Sequence, residues 1–353
     1  MEWINAAISN IENQRISHRN WNLALSDGFS SLHAASAGEV VSLTGPSRVG
    51  RSRIADELIR MLVGDASSIA EGVLPVIKIC ASNCSVKGAF STKDFTFRAL
   101  KAMEHPFYGI GRRDDPWGID LLNLMNKTPE SVFRHALETG LVYRKSKFIF
   151  IDEAHHVRYV QGGEPAAAAI LDSWKCLAEE TKVVLVLVGA YPMLRVLRLS
   201  PHLLGRKGQV HFPRYHAVKE DLVAFEQILT VYDEYIRVPH EVGSLRSWNE
   251  LLYEGSLGCL GHLGKWLREA LALARSRGDE VLSEKHLVAM RKPTAELRAI
   301  AAEIIQGEED LKSFMEDHGQ PDKSKLNGEP KRKTRSSKPF QKNPRRHKLG
   351  GRA

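Results

Sequence analysis

The sequence predicts an α/β fold, a central parallel sheet covered by helices on both faces and followed by a small C-terminal helical lid. Three observations predict it. A short β-type run, Glu39 to Thr44, leads through a glycine-bounded loop into a segment of helical spacing. Continuous apolar runs at 147–152 and 182–189 then alternate with helical stretches, the pattern of strands buried on both faces. From about Ala217 the β signal stops and only helical spacing remains.

The elements follow in order. Residues 1–38 read as helical and polar-rich, ending in Gly38. After the first strand, Arg53 to Val63 places Ile54, Leu58, Ile59 and Leu62 on one face of a helix. Val73 to Cys80 reads as a second strand, and Lys93 to Met103 and Pro129 to Tyr143 as helices. Lys147 to Asp152 is a buried strand ended by acids, Ala166 to Glu180 an alanine-rich helix, Lys182 to Gly189 another buried strand, and Gln209 to Phe212 a last short one. Helical spacing then covers 218–236, 245–256, 259–276 and 283–305. The expected organisation is an N-terminal helical segment at 1–38, an α/β domain at 39–216, a helical lid at 217–307 and a basic tail at 308–353.

Two short stretches carry chemistry. The loop Gly45, Pro46, Ser47, Arg48, Val49, Gly50, Arg51, Ser52 fits Gly-x-x-x-x-Gly-Lys-Ser/Thr except that Arg51 stands at the lysine. Its glycines let backbone N–H groups turn inward around phosphate oxygens, and the helix that follows, with Arg53 in its first turn, adds its positive end. A lysine there reaches the β- and γ-phosphates, and the hydroxyl of Ser52 suits Mg²⁺. Arginine keeps the charge but is planar and forked, so the exchange is not neutral. About 100 residues on, Phe148-Ile-Phe-Ile-Asp152-Glu153 puts two carboxylates at the C-terminal end of a buried strand, the edge where open α/β sheets hold ligands. Asp152 there can hold Mg²⁺ through water, and Glu153 can orient and deprotonate an attacking water. His155 and His156 follow with no spacing of a metal site, and polar surface or an interface is their expected role.

These segments, with LVLVGAYPMLRVLRLSPHLLGR (185–206) and GCLGHLGKWLREALALARSRG (258–278), resemble in order, over roughly residues 35–300, the TniB/TnsC family of AAA+ P-loop proteins. The resemblance implies an AAA+ fold with ATP and Mg²⁺ as cofactors. It implies self-assembly into a ring or filament around duplex DNA, and a role linking a target-selecting protein to a transposase. It further implies that Arg206 is an arginine finger reaching a neighbouring subunit's γ-phosphate, and that Lys93 and Thr128 touch the DNA backbone, contacts that position a protein without reading sequence. This chain departs from the family at Arg51 and at Ala190, which stands where the family has a threonine or asparagine that senses γ-phosphate. Both departures weaken one site, so nucleotide binding with slow or absent hydrolysis is expected. In the lid helix, Lys265 and Arg268 are both candidates to face the phosphates. A hydrolysis-deficient adaptor scaffold, or another AAA+ DNA-associated loader, is the alternative reading.

Charge sharpens the picture. The net charge of the 353 residues is +8, but residues 320–353 hold 12 Lys/Arg against 2 Asp/Glu, while the remainder holds 38 against 40. Basic character therefore belongs to the tail, whose composition suits a disordered segment that contacts nucleic acid or docks on a partner. No apolar stretch approaches the ~18 residues of a membrane span, and the N-terminal residues lack a basic-then-apolar leader pattern. The expected setting is cytoplasmic, with Cys80, Cys84, Cys176 and Cys259 as reduced thiols.

Overall fold

The sheet contains five parallel strands in the order β2-β3-β4-β1-β5. They are β1 (Val40–Gly45), β2 (Val76–Cys80), β3 (Phe148–Asp152), β4 (Val184–Ala190) and β5 (Leu204–His211). Every residue of β1 and β4 is buried, which is why these valine- and leucine-rich runs show no polar alternation. This computed structural model describes residues 2–319 apart from 14–15, 66, 68, 84–87, 110–124, 201–202 and 238–239. The basic tail from Gln320 onward and Cys84 lie outside the described residues.

Two apolar layers sandwich the sheet. On one face Val41, Leu43, Val186 and Val188 pack against α2 (Arg19–Ala34) and α3 (Arg51–Val63). On the other, Val40, Leu185 and Leu187 meet α4 (Thr92–Ala102), α5 (Glu130–Tyr143), α6 (Gly163–Thr181) and α7 (Pro192–Leu199). A third core belongs to the lid, formed by α8 (Lys219–Val231), α9 (Asn249–Ser256), α10 (Leu260–Arg277) and α11 (Glu284–Met290). The last helix, α12, spans Thr294–Gly319.

Several elements depart from the sequence expectation, each for a physical reason. The N-terminal segment is not one unit. α1 (Glu2–Asn13) buries Ile4, Ala7 and Ile11 in the lid core, whereas α2 covers the sheet. β5 begins at Leu204, five residues before the expected Gln209. It is an edge strand paired only with β1, with an irregularity between Val40 and Ser42, so its ladder tolerates the polar Gly-Arg-Lys run. The helical pattern at 283–305 is two helices, broken at Pro293, which has no N–H to continue α11. The final helix also runs through Glu308, the expected start of the tail, and Leu311 and Phe314 are buried in the core of the α/β domain.

Residues through Phe314 form one compact unit, and those from Met315 a second, of which only the end of α12 is described. No helix among the described residues is long and apolar enough to cross a membrane.

Candidate functional site

The loop between β1 and α3 is shaped by backbone. Gly50, the residue before α3, has φ of +116°, a left-handed conformation open to glycine, and no side chain caps the helix start behind it. Ser47 to Arg53 line a cavity of about 500 Å³ with Glu153 and His155, within the range of small-molecule sites. Val49 is buried and anchors the loop in the apolar layer beside Phe212.

Arg51 departs most from a phosphate-loop lysine. Its side chain is buried, and one guanidinium nitrogen donates to the carbonyl of Gly45 at 2.7 Å and to that of Pro46. Burial lowers its pKa, opposed by the charges of Glu153 and Asp152. The guanidinium is thus tied to carbonyls of its own loop while remaining in the electrostatic reach of both carboxylates.

Asp152 ends β3, one strand removed from β1, and Glu153 follows it. Asp152 does not itself line the cavity. Its carboxylate accepts the N–H of Glu153 at 2.9 Å and pairs with Lys78 at 3.3 Å. Burial works against the charge on Lys78, but its bond to Asp56 at 2.6 Å and the charge of Asp152 raise its pKa overall. Glu153 adopts φ of +55°, an uncommon left-handed conformation for a glutamate, and turns the chain into a 3₁₀ turn at Ala154–Tyr159. The hydroxyl of Ser52 and the carboxylate of Asp152 are hard oxygen donors, the kind Mg²⁺ takes. Glu153, His155 and His156 also bring ligand-type atoms within 4.8 Å of one another. Arg51 and Arg158 lie close enough to lower the pKa of His155, a charge setting that opposes a further cation.

Polar surface or an interface is the sequence expectation for His155; its side chain is mostly buried and faces the cavity. Its Nδ1 lies 3.2 Å from Glu153 Oε2 and 3.4 Å from the backbone nitrogen of Ala190 at the end of β4. Burial, with His156, Arg51 and Arg158, pushes its pKa down to about 3, so the ring is neutral near pH 7.

The lid closes the cavity through α10. A side chain at Gly261 would put its Cβ 2.2 Å from the carbonyl oxygen of Arg48, so the helix touches the loop because that position has none. Lys265 and Arg268 both line the cavity, and each is paired, Lys265 with Glu269 at 3.4 Å and Arg268 with Glu12. Ile11, Ile16, His18 and Trp21 also line the cavity, and no motif in the sequence singled them out. His18 Nδ1 meets the hydroxyl of Tyr215 at 2.9 Å and accepts from the N–H of Trp21. Its ring stacks on Phe212.

The remaining candidates lie apart from this cavity. Lys93 is in the first turn of α4, and its amine donates to the carbonyl of Asn126 at 3.3 Å, two residues before the half-buried Thr128. The two expected backbone-contacting residues therefore sit together. Ser91 caps α4, and Pro129 precedes α5. Arg206 falls on β5, whose first residue, Leu204, pairs with Val40 at the start of β1, the end remote from the loop. Its side chain lies outside the described residues.

A glycine loop leaving the first strand, faced by an acidic strand end across one intervening strand and roofed by helices, is the arrangement of P-loop proteins. Residues 34–197 match the family model described as AAA domain, so the chain carries an AAA-type P-loop domain. The ORC2 protein of Aeropyrum pernix in its ADP form is 15% identical with a TM-score of 0.53, over 79% of this chain and 70% of that one. In its ADPNP–ADP complexes the values are 15% and 0.51, over 82% and 74%. A Walker-type ATPase of Pyrococcus abyssi is 16% identical with a TM-score of 0.47, over 86% and 79%. At these identities the likeness to ORC2 establishes the fold. Among curated proteins no significant sequence match is found.

Proposed function

We propose that this chain binds ATP with Mg²⁺ on the loop 45–52, assembles with further copies of itself on duplex DNA, and regulates transposition by linking a target-selecting protein to a transposase. The observation that carries the nucleotide reading is the cavity itself, where the phosphate loop, Glu153 and the lid helix converge. The ADP and ADPNP in the ORC2 structures of the same fold are consistent with it. The transposition reading is supported by the four segments that resemble the TniB/TnsC family in order.

Residue roles follow from chemistry. Ser52 and Asp152 would hold the Mg²⁺, which when bound offsets phosphate charge. Glu153 accepts a proton from the attacking water, and the backbone of residues 45–50 with the start of α3 receives phosphate oxygens. Arg206, on a strand end remote from its own loop, serves the γ-phosphate of an adjacent copy. Lys93 and the Thr128 turn form one backbone-contacting patch. Arg51, held by loop carbonyls, and Ala190, without a polar side chain, make hydrolysis slow.

The test pairs nucleotide titration with phosphate release, with and without duplex DNA. The expected result is Mg²⁺-dependent ATP binding, slow release, and ATP-dependent co-sedimentation with DNA. Glu153→Gln should keep binding and lose release. Absence of ATP binding overturns the reading. Binding with no release under any condition favours the adaptor scaffold, which the tethered Arg51 also favours.

A further inference from the structure

Ala190 ends β4 with a methyl group where a terminal-phosphate sensor needs a polar side chain, and the structure sets another residue at that spot. The 3₁₀ turn after Glu153 lies directly against the end of β4. A Cβ at Gly189 would come within 3.2 Å of the backbone nitrogen of His155 and 3.6 Å of its Cβ. A side chain there would need the turn, or Met193 Sδ at 3.0 Å, to give by a few tenths of an ångström. The imidazole that results stands between the Glu153 carboxylate, 3.2 Å away, and the Ala190 N–H, 3.4 Å away, and it lines the same cavity as Ser52.

One nitrogen, Nδ1, faces both neighbours. A neutral imidazole nitrogen either accepts or donates, so Nδ1 can take the Ala190 N–H or give a proton to Glu153, but not both. The ring therefore has two hydrogen-bonding arrangements, one tied to the strand end and one to the carboxylate. Added negative charge in the cavity acts on both, since the Glu153 carboxylate and the phosphate repel.

We infer that His155 is the positioning residue through which this cavity distinguishes a nucleoside triphosphate from a diphosphate, its Nδ1 exchanging the Ala190 N–H for the Glu153 carboxylate at the strand end where Ala190 has no polar side chain. The inference rests on the nucleotide-binding reading above.

The experiment is calorimetric titration of the full chain with Mg²⁺–ADP and with a slowly hydrolysed ATP analogue. The ratio of the two affinities is the readout, because a purely structural change lowers both together. In His155→Ala the preference for the ATP analogue should fall about tenfold. His155→Phe keeps a ring in the same space and should show the same loss, so the inference stays testable if the alanine variant folds poorly. His155→Gln, which retains a donor and an acceptor, should keep most of the preference. Ala190→Asn in the His155→Phe background should restore it. An unchanged ratio in both His155→Ala and His155→Phe overturns the inference, whether both affinities persist or both fall in parallel. Failure of the unaltered chain to bind either nucleotide defeats the underlying reading instead, and the two failures are told apart by that control.

Discussion

A guanidinium bonded to two carbonyls of its own loop is a different phosphate ligand from an ammonium at the same position. To bring the nitrogen that makes these bonds to a phosphate, Arg51 must release the Gly45 and Pro46 carbonyls, and hydrogen bonds to charged groups are worth roughly 1.5–3 kcal/mol each. A lysine is compact, with a single nitrogen on a flexible stem. Arg51→Lys should therefore tighten ATP binding by about tenfold, the equivalent of one such bond, as measured by titration with Mg²⁺–ATP. Equal or weaker binding would show that the tether costs nothing. The sequence made this residue and Ala190 legible as departures, because a motif defines what should stand there. It did not reveal His155. That imidazole matters through a backbone group 35 positions away at the end of another strand, and nothing in local spacing reports such a contact. His18 and Trp21 were hidden for the same reason, since they reach the cavity by tertiary packing alone.

At the scale of elements, α10 meets the loop directly and α12 holds the segment that follows β5. α10 lies against Arg48 through Gly261, and a methyl there would overlap a backbone oxygen that has little freedom to move. Gly261→Ala should displace the helix, weaken nucleotide binding by about tenfold or more, and destabilise the fold by roughly 1–3 kcal/mol. Titration and urea denaturation read the two effects, and a variant with unaltered affinity would separate the lid from the site. α12 provides the second link. Glu308 accepts two bonds from Arg214, at 2.8 and 3.2 Å, with both side chains largely buried. Burial opposes the charge on Arg214, and Glu308 overcomes it, leaving its pKa raised. Glu308→Ala leaves that guanidinium without its partner and should cost about 1–3 kcal/mol in urea denaturation, below the 3–5 kcal/mol of a fully buried pair. The existence of the central strands and helices was legible, because period and apolar runs are local. The early start of β5 and the extension of α12 were not. An edge strand is defined by the neighbour it pairs with, and a helix whose few apolar residues face a distant core shows weak periodicity of its own.

At the scale of the molecule, the sequence predicts the fold class but not the order in which strands pair, which depends on contacts between distant segments. The same long-range packing buries histidines that composition would place on the surface. His18, His211 and His262 each have a pKa lowered to about 4, in every case chiefly by burial. Arg19 adds to the effect at His18. At His211 it is opposed by Glu308 and reinforced by His216. At His262, Arg48, Lys292 and Lys265 act with burial and Glu296 against it. In the unfolded chain each imidazole titrates near 6.5. Between that value and about 4 the unfolded state therefore binds protons that the folded state refuses. Their contribution to stability is complete above pH 6.5 and is lost as the pH falls toward 4. From pH 6.5 to 5, above the range where ordinary carboxylates take up protons, each should remove about 1–2 kcal/mol. Urea denaturation at half-unit pH steps should show the unfolding free energy declining through this window, without ATP present. A flat profile from pH 6.5 to 5 would mean that these rings are already solvated enough to protonate in the folded state, and that the three cores are looser around them than their packing indicates.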